Sequence, residues 1–240
     1  MKNSVLTASL IALLSNFSHA EDSALLGIPG KVIFESKFDS ELPKGWQAAK
    51  GKWEIVEGAM RGSEKPEDMH GAVNRMPGKL GDFIAEYEFK FEGAKSTSLS
   101  INGPKDHQAR IAITPTSVTI QKDDSDHAGP DKPVVFARFA ADLQPSQWHK
   151  VRIEMVGDAM VGKVDNMVAW GSNDLFKNDH MSPGFTVGGQ SVDFRNLKIT
   201  EATLNPEWSK VKETLPKPGE QMAPPPGNPA ARPAKKTADK

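Results

Sequence analysis

Phe83-Ile84-Ala85-Glu86-Tyr87-Glu88-Phe89-Lys90-Phe91 is the stretch that decides the fold class. In an extended chain Phe83, Ala85, Tyr87, Phe89 and Phe91 point to one side, and Ile84, Glu86, Glu88 and Lys90 to the other. One face is apolar and the other mostly wet, which is the mark of a half-buried strand. Working outward, the same period of two recurs at Val32–Phe38, Trp53–Met60, Ser98–Ile101, Ala109–Ile113, Val118–Gln121, Val134–Phe139, His149–Met155, Met160–Val164, Phe185–Val187 and Phe194–Ile199. Gly, Pro, Asn and Asp interrupt these runs, so the spacing predicts about eleven antiparallel strands and no substantial helix. So many one-sided strands must cover their apolar faces. A two-sheet antiparallel jelly-roll β-sandwich does this most simply, while a closed barrel would bury the same faces and is not separated from it by periodicity. No fixed-period repeat is present, which argues against a propeller or solenoid.

The two ends read differently. Lys2, the apolar run Val5–Leu14 and the small-residue end Ser18-His19-Ala20 have the pattern of a secretory signal cut after Ala20. The apolar run is about half the ~20 residues a membrane span needs, so the expectation is an exported protein, periplasmic or extracellular, without membrane insertion. From Asn205 prolines recur at 206, 216, 218, 224, 225, 226, 229 and 233. From Ser209 seven basic residues stand against three acidic ones, a balance of +4. That composition predicts a disordered tail over 205–240, with one short helix around Trp208–Leu215 and a charge suited to contact with an anionic cell-envelope polymer. The expected organisation is therefore signal 1–20, sandwich 21–204 and tail 205–240.

Composition narrows the chemistry. The 240 residues hold 30 Lys and Arg against 31 Asp and Glu, so no sign-biased field favours nucleic acid. There is no cysteine, which removes disulfides, thiolate metal sites and cysteine nucleophiles. His70, His107, His127, His149 and His180 form no zinc-type spacing. The run Asp123-Asp124-Ser125-Asp126 has the oxygen density calcium prefers but not a full calcium-loop pattern. The expectation is no cofactor, with calcium unsupported.

Phe38-Asp39, Pro43-Lys44-Gly45-Trp46, Gly51-Lys52-Trp53-Glu54, Glu57-Gly58 and the strand from Asp82 to Phe89 occur in an order seen in one group of sandwiches. Trp148-His149-Lys150-Val151-Arg152-Ile153-Glu154, Val156-Gly157-Asp158, Val164-Asp165 and Val192–Ile199 continue it. The region 31–202 resembles the 3-keto-disaccharide hydrolase-type domain of the concanavalin A-like lectin/glucanase superfamily. That resemblance implies a carbohydrate-handling sandwich and, by its place in the strand, a role for Glu88. Where the family's hydrolases tend to carry an Asn-Ser-Gly segment leading to an Arg, this chain reads Ser96-Thr97-Ser98-Leu99-Ser100-Ile101-Asn102.

Two site readings follow. Glu86 and Glu88 share a strand face about 6.6 Å apart, a pairing that suits the acid and base of glycoside hydrolysis. If the chain from 83 to 121 meanders, Ser98, Ser100, Asn102, Gln108, Arg110, Thr114, Thr119 and Gln121 share the parity of Glu88, a mixture of donors and acceptors that suits sugar hydroxyls. Ser98, Ser100, Arg110 and Gln121 are the expected sugar contacts. Trp170, before the loop Gly171-Ser172-Asn173-Asp174, adds an indole able to stack on a pyranose. Trp46, Trp53 and Trp148 read as core. The leading expectation is glycan recognition; the alternative is hydrolysis of a 3-keto or ordinary disaccharide with Glu88 as acid or base.

Overall fold

The computed structural model describes residues 24–103, 107–124 and 132–225. Its strands are β1 Gly27–Ser36, β2 Gln47–Lys50, β3 Lys52–Val56, β4 Ala59–Ser63, β5 Ala72–Arg75, β6 Lys79–Leu80 and β7 Phe83–Asn102. They continue with β8 His107–Thr114, β9 Ser117–Lys122, β10 Val134–Ala140, β11 His149–Val156, β12 Ala159–Val164, β13 Met167–Ser172 and β14 His180–Leu204. The expected run Trp53–Met60 is a hairpin, β3 and β4. Glu57 and Gly58 both take positive φ, 50° and 73°, as a two-residue type I′ turn requires.

The largest departure from the strand pattern lies in β7 and β14. Each joins two expected strands into one, because the two pair antiparallel along almost their whole length, from Met181 opposite Asn102 to Glu201 opposite Phe83. Gly93 and Gly189 read as strand breaks. They are instead positive-φ positions, 87° and 93°, where the pairing register shifts and the ribbon continues.

Two layers share this ribbon. The first half of β7 pairs with β11, which leads to β12 and β13, while β1 flanks the same stretch along β14. Its second half pairs with β8, which leads to β9 and β10, while β5 and β2 extend the other side. The layers face each other across an apolar core. A Cβ on Gly162 of β12 would stand 2.9 Å from Ile120, and one on Gly171 of β13 would stand 2.2 Å from the Phe136 ring, so these glycines permit the close approach. The hydrogen-bonded path ends at β10 and β13. The fold is a two-layer jelly-roll-like sandwich. Phe185 and Phe194 stack with centroids 4.3 Å apart at its centre, with Tyr87 edge-on to Phe185 at 4.9 Å. Trp46 and Trp53 stack against those two phenylalanines as expected of core residues. Trp148 differs: it is half-buried, with the Arg195 guanidinium 3.9 Å from its ring centroid.

The segment after 204 corrects the expectation of a free tail. A short helix, α1 Trp208–Val211, sets Trp208 edge-on to Trp170 with centroids 5.7 Å apart. Further on, the Gly219 N–H donates to the Phe136 carbonyl at 2.7 Å, Arg138 N–H to Gln221 at 2.7 Å, and Ala223 N–H to Arg138 at 2.8 Å. The chain thus reaches from the β13 edge to the β10 edge and covers both. Contacts with the sandwich continue past 204, as far as Ala223. Proline-rich composition misled here because proline, lacking a donor, is also suited to a sheet edge. The signal-like segment 1–20 and residues 226–240 lie outside the described residues.

Candidate functional site

On the outward face of the first layer, Glu86 and Glu88 project side by side from β7. They line a cleft of about 230 Å³ with Lys150, Arg152, Lys163, Asp165 and Asn196. Both carboxylates are matched by guanidiniums. Arg152 donates from Nη1 to Glu86 at 2.7 Å and from Nε to Glu154 at 2.6 Å. Glu154 is fully buried and also accepts the Gly27 N–H at 2.7 Å. Burial opposes the charge on Arg152, but Glu154 and Glu86 outweigh it and raise its pKa. Arg195 holds Glu88 through Nε at 2.7 Å and Nη2 at 2.6 Å. Beyond it the almost fully buried Asp193 receives Arg61 at 2.6 and 2.8 Å and Lys90 at 3.3 Å. This face is an ion-pair lattice that ties β1, β4, β7, β11 and β14 together.

The outward face of the second layer is built from different chemistry. Arg75 on β5, Gly184 on β14, Ser100 on β7, Arg110 on β8 and Gln121 on β9 are successive cross-strand partners. Two residues along, the row reads Val73, Thr186, Ser98, Ala112 and Thr119. Register and pleat therefore make a floor of small side chains with an arginine on either side, the two Cα atoms about 14 Å apart across three strand spacings. Glycine at 184 matters, since a Cβ there would stand 2.9 Å from Arg75 Cγ and 3.0 Å from the Asn74 carbonyl. The floor is hydrogen-bonded: Ser98 Oγ lies 2.6 Å from Thr186 Oγ1 and 3.4 Å from Ser100 Oγ. His107 Nδ1 donates to Asn102 at 2.7 Å. Arg110 Nε is 3.1 Å from Asp123 Oδ2 without the alignment of a hydrogen bond, so that contact is coulombic. Above the floor is a cleft of about 370 Å³ lined by Glu64, His70, Arg75, Ser100, His107, Arg110 and Thr186 among others. That volume falls within the roughly 300–1,000 Å³ of small-ligand sites.

Residues 33–200 match the profile of the 3-keto-alpha-glucoside-1,2-lyase-like domain, a span from β1 to β14 that takes in both layers and both clefts. The chain belongs to this family. No curated protein matches it at a significant level. Among solved structures, carbohydrate binding module CBM66 from Bacillus subtilis is similar at 16% identity and TM-score 0.51, covering 65% of this chain and 96% of that one. A Bacillus subtilis protein of unknown function with a galectin-like fold gives 11% identity and TM-score 0.55 over 75% and 100%. SCLam, a non-specific endo-beta-1,3(4)-glucanase from family GH16, gives 13% and TM-score 0.53 over 75% and 96%. At such identities the likeness is one of fold.

Within this lyase-like domain the expected site residues fall in three places. Ser100 and Arg110 line the second-layer cleft, and Ser98, buried, lies against Ser100 and Thr186 without lining it. Gln121 stands beside Arg110 but donates to Asp123 at 2.5 Å, and does not line the cleft. Glu86 and Glu88 lie on the other half of β7. Ten residues of strand, about 33 Å, separate Glu88 from Ser98, so Glu88 and Arg110 do not share a site as the hydrolase reading required. Trp170 is at the β13 edge, half-buried, edge-on to Trp208 and with Lys212 Nζ 5.8 Å from its ring centroid; it lines a separate cleft of about 360 Å³ with Lys212, Leu215 and Pro218, away from Arg110. Gln108 is buried, holding His180 Nδ1 at 2.5 Å and donating to the Leu175 carbonyl. The cleft residues missed by sequence reasoning are Glu64, His70, Arg75 and His107. Three of these come from the end of β4 to β5, a stretch too short for its period to show and not placed beside β14 by any local signal. The run Asp123-Asp124-Ser125-Asp126 considered for calcium lies partly outside the described residues.

Proposed function

We propose that the domain recognises a carbohydrate in the second-layer cleft and that it does so outside the cytoplasm. The observation that carries the reading is the pair of hydroxyls Ser100 and Thr186, backed by the buried Ser98 hydroxyl, set between Arg75 and Arg110 in one cleft of ligand size. Sugar hydroxyls donate and accept at once, and hydroxyl, imidazole and guanidinium groups around a shallow floor match them. The family description, a lyase on 3-keto-alpha-glucosides, and the carbohydrate-binding and glucanase neighbours support the same substrate class. The test is a glycan array followed by calorimetry on the full chain and on Thr186→Phe, which fills the floor without adding charge. Binding to some poly- or disaccharide, lost in Thr186→Phe with the fold intact, supports the reading. No binding to any glycan overturns it.

A catalytic reading of the same cleft is favoured by one observation: Glu64 faces it with no ion-pair partner among the described residues. In a 3-keto glycoside the C2 proton is acidified by the ketone. A base such as Glu64 would take that proton, the C1–C2 double bond would form, and the C1–O bond would break, with the leaving oxygen protonated from water or an imidazole. Release of an alcohol from a 3-keto glucoside by the native chain, abolished in Glu64→Gln, is the discriminating result.

A further inference from the structure

The arginines of this chain are not treated alike. Among the described residues Arg61, Arg152 and Arg195 are each bound to carboxylates at 2.6–2.8 Å on the first layer. Arg138 donates to the Ala223 carbonyl. Arg110 meets one carboxylate, and only through the misaligned Nε contact. The other Asp123 oxygen already accepts from Gln121. Arg75 has neither a hydrogen-bond nor an ion-pair partner among the described residues. Arg75 and Arg110, which flank the cleft floor, are thus two of the three described arginines that no carboxylate hydrogen-bonds, and the third, Arg138, lies at the β10 edge under the C-terminal segment.

A neutral sugar would not explain that placement. Bringing a ligand onto a guanidinium strips its water, and a hydroxyl returns a hydrogen bond without compensating the charge. A carboxylate returns both, in a fork geometry that matches arginine better than any other side chain. Resting on the carbohydrate reading of this cleft, we propose that its ligand is an acidic glycan, with a uronate carboxylate held between Arg75 and Arg110 over Gly184 and Ser100. The cleft is polarised to suit. Glu64 Oε1 lies 3.8 Å from where a Cβ on Gly188 would stand, two rows from the arginines and about 13 Å along the strands. The acidic group of the ligand therefore belongs at the arginine end, and its uncharged rings over Thr186 and Gly188.

The experiment is titration calorimetry of the full chain with short oligomers of glucuronate, galacturonate and mannuronate, each paired with its carboxyl-reduced neutral counterpart, at low and high salt. The expected result is that at least one acidic oligomer binds tenfold or more tightly than its reduced form, and that high salt narrows the gap. Arg75→Gln should remove most of the preference without moving the thermal midpoint, Arg110→Gln should remove it with some loss of midpoint because Asp123 is buried against it, and Arg75→Lys should recover part of it. Equal binding of acidic and reduced oligomers, both lost in Thr186→Phe, would leave the carbohydrate reading standing and overturn the acidic one. Failure of both classes to bind overturns the acidic proposal, and the glycan array then decides the carbohydrate reading separately. A non-sugar dicarboxylate such as glutarate binding as tightly as the best uronate would mean a bare anion site and would also overturn the proposal.

Discussion

Arg195 on β14 grips Glu88 on β7 by a single carboxylate oxygen, Oε2, which lies 2.7 Å from Nε and 2.6 Å from Nη2. The guanidinium is held from below by the Trp148 ring, 3.9 Å away, and the other carboxylate oxygen faces Asn196 Nδ2 at 3.4 Å. The pair bridges the two long strands that both layers share, where it locks their register. Glu88 thus ties the two long strands together while it also lines the first-layer cleft.

Glu88→Gln should therefore leave binding at the second-layer cleft within twofold of the native chain. A part-exposed pair is worth roughly 0.2–1 kcal/mol, so the thermal midpoint should fall by no more than about 4 °C for a domain of this size. Calorimetric titration and a thermal melt read the two effects. Lost turnover or binding with an unmoved midpoint would return Glu88 to the active site.

Glu154 is the costlier carboxylate to remove. It is fully buried and satisfies both the Gly27 N–H and Arg152. Glu154→Ala leaves a buried guanidinium short of a partner and strands a backbone donor, a loss of about 3–5 kcal/mol. A midpoint drop of roughly 6–20 °C is expected. Glu86→Ala, at the exposed end of the same arginine, should cost far less.

Truncation separates the docked and undescribed parts of the C-terminal segment. Removing 226–240 should leave the thermal midpoint unchanged. Removing 206–240 uncovers Trp170 and frees the β10 edge, and burial of one large aromatic alone is worth about 2–3 kcal/mol. The midpoint should fall by roughly 4–12 °C, and the shortened chain should self-associate through the exposed edge in sedimentation. An unchanged midpoint after the longer deletion would mean that the edge contacts contribute nothing to stability.

His180 makes stability depend on pH. Burial lowers its pKa below the ordinary 6.5, against the opposing pull of Asp82 and Asp179, and its Nδ1–H donates to Gln108. The unfolded chain binds a proton on this residue at a higher pH than the folded one does. Its contribution is thus complete above about 6.5 and is lost as pH falls through the folded value. Between pH 7 and 5 the native midpoint should drop more than that of His180→Gln. Parallel curves would show that His180 titrates freely.

Alternation in 83–91 determined the fold class by itself, because an apolar face on a strand has to be covered and many such strands leave few architectures. It also determined which side of β7 each residue takes, so Ser98, Ser100 and Arg110 were legible as one surface. Alternation carries no information about how far a strand runs through a glycine, or which strand lies beside it. Gly93 and Gly189 read as ends and are bulges, since only pairing between β7 and β14 carries the ribbon across them. Arg75 and Arg110 are 35 positions apart in sequence and become the two walls of a cleft through three cross-strand registers. Glu86 and Glu88 keep the spacing that the sequence implied, but their ionic partners come from β11 and β14, and that choice belongs to the tertiary structure. Trp208 gives the same lesson at the chain's end: composition describes a segment's own tendency to fold, whereas a sheet edge with unpaired backbone groups decides whether it docks.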